Sequence, residues 1–108
     1  MSPPSVRRGD VWYADVAGDK HRPVLIMSRD PMGEILNSVI CAPITTRIRQ
    51  LATEVRLGPE AGLKAESVAN FDNTMLISRD RLIRRIGTAP PQAMESSCHA
   101  LAIATGCP

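Results

Sequence analysis

Short β-branched segments, each closed by turn chemistry, run from residue 11 to residue 71 and leave room for little besides a small antiparallel sheet. Val11-Trp12-Tyr13-Ala14-Asp15-Val16 reads as a first strand that stops at Ala17-Gly18-Asp19-Lys20. Pro23 to Ser28 is apolar without alternation, the pattern of a strand covered on both faces. Arg29-Asp30-Pro31-Met32-Gly33 reads as a turn. Ser38-Val39-Ile40-Cys41-Ala42 gives a third strand, which Pro43 should end or bulge because proline has no N–H for a ladder. Thr53 to Leu57 alternates polar and apolar as a half-buried strand does, and Gly58-Pro59-Glu60-Ala61-Gly62 turns the chain again. Ser67 to Phe71 gives a fifth strand, closed by Asp72-Asn73.

Helical signals come late. Ser78 ahead of Arg79-Asp80-Arg81-Leu82 offers an N-cap hydroxyl and a first-turn acid, so a short helix is expected there. Ile86 then reads as a strand residue, followed by Gly87. Pro90-Pro91 opens a longer helix that Gly106 can end. Met94, Cys98, Leu101 and Thr105 recur at helical spacing, widened by Ala102 and Ile103, and predict the face laid on the sheet. The expected architecture is mainly β (α+β): an antiparallel sheet or small barrel with a short helix and a C-terminal helix. Residues 1–6 are expected to form a flexible tail and residues 7–108 one domain, large enough to fold without a disulfide or a structural metal.

Composition narrows the function by exclusion. Hydrophobic residues at 44% and charged residues at 22% fit a globular chain rather than a disordered one. With only Trp12, Tyr13 and Phe71, the chain cannot stack bases on a row of rings. Cys41, Cys98 and Cys107 are not in Cys-x-x-Cys spacing, and His21 and His99 complete no ligand set, so neither a metal nor a cofactor is expected. The opening Met1-Ser2-Pro3-Pro4-Ser5 does not read as a secretory leader, and no apolar run is long enough to span a bilayer; a cytoplasmic location is expected. No phosphate-binding glycine loop, nucleophile elbow or His-Glu-x-x-His stands in the chain. The net charge of +2 lies wholly in residues 1–50, which hold seven Lys and Arg against five Asp and Glu, while residues 51–108 hold six of each. Within that half, Lys20-His21-Arg22-Pro23 and Ile44-Thr45-Thr46-Arg47-Ile48-Arg49 place polar groups where strands meet loops.

The order Arg8-Gly9-Asp10-Val11-Trp12-Tyr13-Ala14-Asp15, then His21-Arg22-Pro23-Val24-Leu25-Ile26, then Ala42-Pro43-Ile44-Thr45-Thr46 resembles the MazF/PemK family of toxin endoribonucleases. Gly62-Leu63 with Ser67-Val68, and Leu82 with Ile86-Gly87 before a last helix, extend the likeness to nearly the whole chain. The resemblance implies an SH3-like barrel that works as a homodimer, cuts single-stranded RNA without a metal, and is inhibited by a cognate antitoxin. It assigns the reacting pair to Arg22 and Thr45, or to Thr46 if the register shifts by one. Asp19, Lys20, His21, Thr46, Arg47 and Arg49 are the further candidates for holding RNA.

The chemistry suits these residues. RNA carries its own nucleophile, the 2′-hydroxyl, so the protein must stabilise charge on the phosphorane and move two protons. Arg22 offers a planar fork to two phosphate oxygens, and Thr45 a hydroxyl donor. The base is not assigned: Asp19 is the sole acid of a short first loop, and His21 in an extended segment should face away from Arg22. Arg79, Arg81, Arg84 and Arg85 read as a solvated face or an antitoxin contact rather than an RNA grip. The alternative reading is a gyrase-binding toxin resembling CcdB. The helix end Ala104-Thr105-Gly106-Cys107-Pro108 lacks the aromatic residue that such toxins use.

Overall fold

The computed structural model describes residues 5–17 and 20–108. Seven strands form one sheet: β1 (Asp10–Ala17), β2 (Lys20–Ile26), β3 (Ser38–Thr45), β4 (Glu54–Leu57), β5 (Ser67–Asn70), β6 (Met75–Ser78) and β7 (Leu82–Thr88). Helix α1 (Met32–Ile35) is one turn, and α2 (Pro91–Thr105) is the long C-terminal helix. The strands lie in the order β4-β5-β3-β2-β1-β7, all antiparallel, with β6 on β3 beside β5, so the sheet curls without closing.

Pro43 does not end β3. The strand runs through it to Thr45 and changes partner there: Ser38 to Cys41 pair with β6, Ile44 and Thr45 with β5. Ile40 turns both backbone groups toward β2, donating to Ser28 Oγ and accepting from Met27 N–H. By alternation Pro43 turns its N away from β2, into the gap where β6 gives way to β5, and the missing N–H leaves no ladder bond unmade.

The unbroken apolar run of β2 serves two cores, as its pattern predicted. Leu25 joins Val11, Ala42, Ile44, Leu57 and Phe71 beneath α2. Val24 and Ile26 join Trp12, Val39, Cys41, Ile77 and Leu82 on the other face. Val6 is wholly buried in that second core, so the packed chain begins before residue 7.

Helix α2 differs from expectation in its rotation. Ser97 and Ala100 are its buried residues, with Ala93, Met94, Leu101 and Ala104 packed against the core, while Cys98, Ile103 and Thr105 are exposed. Small side chains let the helix lie close to the sheet, and Ser97 is buried without a free polar group because its hydroxyl donates to Ala93 O at 2.7 Å. Gly106 ends the helix at φ 72°, in the left-handed region. The helix expected after Ser78 is a single 3-10 turn, Arg79–Arg81, with Ser78 Oγ accepting from Asp80 N–H. Met75–Ser78, where the sequence pattern predicts no strand, is a strand, and the expected turn at Arg29–Gly33 leads into the single helical turn of α1. No helix among the described residues is long and apolar enough to cross a membrane.

Candidate active site

Val24 of β2 lies opposite Pro43 of β3, and the same register carried two residues further sets Arg22 opposite Thr45. The pleat puts both on the face that holds Val24 and Cys41. Where that apolar stripe ends, at the ends of two neighbouring strands, the chain places a guanidinium and a hydroxyl side by side. Both are half-buried and border two clefts. The first, about 250 Å³, is lined also by Arg47, Arg49, Glu54 and Asn70. The second, about 260 Å³, is lined also by His21, Thr46 and Ser67.

Hydrogen bonds prepare this corner for an anion. Thr45 Oγ1 accepts from Arg47 N–H at 3.1 Å, which occupies a lone pair and leaves the hydroxyl proton to donate. Glu54 Oε1 accepts from Arg49 N–H at 3.0 Å and Leu51 N–H at 3.3 Å, pinning a turn whose Gln50 stands at φ 59°. Glu54 Oε2 is buried without a partner. The one ion pair among the described residues, Arg85 with Asp10, lies elsewhere. Arg22, Arg47 and Arg49 therefore surround a cleft, and no carboxylate among the described residues pairs with any of them.

Of the other sequence candidates, His21 and Thr46 border the second cleft, and Lys20 is exposed but borders neither. Asp19 lies outside the described residues. Sequence reasoning missed Glu54 and Asn70, which face each other across β4 and β5; Glu54 was visible only as the polar member of an alternating strand. A larger hollow of about 580 Å³ between β4 and α2 reaches Glu54 and His99 but neither Arg22 nor Thr45. No group of three or more His, Cys, Asp or Glu suited to a metal exists among the described residues. Burial pushes the Cys41 thiol up to about 12, so this cysteine is not a nucleophile.

The later arginine run is not simply a solvated face. Arg79 is buried and donates to Leu36 O at 3.2 Å. Arg85 donates to Asp10 Oδ1 at 3.2 Å and to Thr88 Oγ1. Arg84 lies 5.1 Å from the centre of the Tyr13 ring.

Residues 7–105 match the family described as PemK-like, MazF-like toxins of type II toxin–antitoxin systems. The chain belongs to this family. It is 34% identical to the probable endoribonuclease MazF2 of Mycobacterium tuberculosis, over 94% of this chain and the whole of that protein. It is 48% identical to endoribonuclease MazF3 of the same organism, over 64% of this chain and 67% of that one. Among solved structures it resembles Mycobacterium tuberculosis toxin MazF-mt6, with 36% identity, a TM-score of 0.86, and 92% and 98% of the two chains covered. A mycobacterial endoribonuclease in complex with its cognate antitoxin gives 31% identity and a TM-score of 0.84, with 95% of this chain and 97% of that one covered.

In this MazF-like chain much of the family pattern is structural. Asp10 accepts from Arg7 N–H at 2.9 Å, Trp12 Nε1 at 3.3 Å and Arg85 Nε, which ties the turn before β1 to β7. Gly62 stands at φ 88°, and a Cβ on it or on Gly87 would run into backbone, because the Gly58–Gly62 turn and β7 approach each other there.

Proposed function

We propose that this MazF-like toxin is an endoribonuclease that cuts single-stranded RNA at the corner formed by Arg22 and Thr45, without a metal ion. The observation that carries the reading is the facing pair of Arg22 and Thr45 in a cleft whose guanidiniums have no carboxylate partner among the described residues. Attack of the 2′-oxygen on the adjacent phosphorus breaks the bond to the 5′-oxygen, leaving a 2′,3′-cyclic phosphate and a 5′-hydroxyl. Arg22 holds two non-bridging oxygens as charge builds on the phosphorane, and the Thr45 hydroxyl donates to one of them. Glu54 is the one carboxylate among the lining residues of the first cleft, and in this reading it is the acid that takes the 2′-hydroxyl proton. Arg47 and Arg49 grip flanking phosphates.

The partners in this reading are RNA in the cytoplasm, a second copy of the chain, and an antitoxin, as in the mycobacterial toxin–antitoxin complex it resembles. The exposed cross-strand pair Ile40 and Leu76 supports a protein covering part of the outer sheet.

The test is an RNA with a single 2′-deoxynucleotide at the cut, assayed in excess chelator beside the all-ribose RNA. The all-ribose RNA should be cut and the substituted one should survive. Cutting of the deoxy substrate, or loss of ordinary cleavage in chelator, would sink the mechanism.

A further inference from the structure

Tyr13 sits in the middle strand of three, with Pro23 of β2 opposite it on one side and Arg84 of β7 on the other. The three side chains share one face, and the Arg84 guanidinium lies over the Tyr13 ring. Together with Leu63, Ile86 and the backbone at Gly62 they enclose a pocket of about 300 Å³. Its walls are mostly apolar, unlike those of the two clefts beside Arg22.

This pocket is continuous with the cleavage corner. Pro23, Thr46 and Ser67 line both it and the cleft that holds Arg22 and Thr45. The last β2–β3 pair is Val24 with Pro43, and the shared residues lie just beyond it, at the ends of the two strands. An RNA strand whose phosphate lies at Arg22 therefore has an apolar recess within reach of the adjoining base.

We infer that the Tyr13–Arg84 pocket holds one unpaired base of the nucleotide next to the cut, packed against the Tyr13 ring and the Arg84 guanidinium that lies over it. The inference rests on the ribonuclease reading above. Several observations favour a base over a phosphate. The walls are mostly apolar despite Lys64 at the rim, the Arg84 guanidinium is already engaged by the Tyr13 ring, and one ring with one guanidinium is enough to hold a single splayed base. The volume lies at the small end of ligand pockets, about 300–1,000 Å³, and suits one base rather than a paired stem. The aromatic poverty of the chain excludes a row of stacked bases but not this single site.

The experiment scans one abasic position at a time along an RNA that the protein cuts, against the native chain, Tyr13→Leu and Arg84→Gln. With the native chain, one position adjoining the cut should lose about 5- to 100-fold in kcat/KM when its base is removed, the range for a stacked base. Both variants should lose a similar factor on the intact RNA, and at that position alone the abasic penalty should vanish. Arg84 is exposed, so Arg84→Gln keeps the test alive if Tyr13→Leu unfolds. Abasic and protein penalties that multiply at every position would overturn the assignment. So would variants that cut normally but escape inhibition by the antitoxin, since the pocket would then belong to a protein partner. If the native chain cuts no RNA, the ribonuclease reading fails instead, and the two failures cannot be confused.

Discussion

Arg22, Arg47 and Arg49 surround a cleft and have no carboxylate partner among the described residues, whereas Arg79, Arg84 and Arg85 are each engaged by the fold. In a count of charges the second group looks the stronger basic patch, because it is denser in sequence. Its guanidiniums nevertheless satisfy a backbone carbonyl, a ring face and a buried carboxylate. An arginine already satisfied must give up a contact to grip a phosphate, while an unpaired one beside other cations gains by doing so. Availability, rather than density, separates the region that meets an anion from the region that holds the sheet together.

Substitutions can break or sharpen this division. Arg22→Ala should have the largest effect, lowering cleavage by about 10²–10³ or more with the thermal midpoint unchanged; full activity in that variant would move the reacting corner elsewhere. Glu54→Gln keeps an oxygen to cap the Arg49–Leu51 turn but cannot accept a proton. A fall in kcat of about 10²-fold with KM unchanged is expected, and an equal loss in KM would reduce Glu54 to a support for the turn. Arg79→Ala belongs to the other region and should act on stability, by about 1 kcal/mol in urea titrations, because it removes a buried side chain together with its hydrogen bond to Leu36 O. Specific activity of its folded fraction should be normal. Arg47→Ala and Arg49→Ala should weaken RNA binding several-fold and each lower the slope of log K against log salt by about 0.7. Arg85→Gln should be the mildest: Arg85 is 54% exposed, so solvent leaves its ion pair with Asp10 worth at most about 1 kcal/mol.

Local sequence carried the strands well wherever a β-rich run met a strong turn, as at Val11–Val16 and Thr53–Leu57, and the ends of the last helix came from Pro90-Pro91 and Gly106. It failed where tertiary packing outweighed local pattern. Met75–Ser78 is too short to announce itself, with only Ile77 buried, and becomes a strand because β3 offers it an edge. The face of α2 is legible only in part: Met94 and Leu101 pack on the core as expected, but the small residues Ser97 and Ala100 are its buried centre and carry no apolar signal strong enough to set the rotation. Arg22 and Thr45 were named through resemblance to a family and then found opposite each other. Glu54, Asn70 and the Tyr13–Arg84 pair were illegible in sequence because their roles depend on which strands become neighbours, and that order is not written locally.

The change of partner along β3 also sets when the toxin can become harmful. Thr45 is held by Val68 of β5, and α2, the last element made, closes the core beneath the sheet. A ribosome that has delivered only the first half of the chain has already emitted Arg22 and Thr45, but nothing yet fixes them against each other. The nascent protein is thus expected to stay harmless until β5 and α2 have emerged, which leaves a cell translating it a window in which an inhibitor can already be waiting.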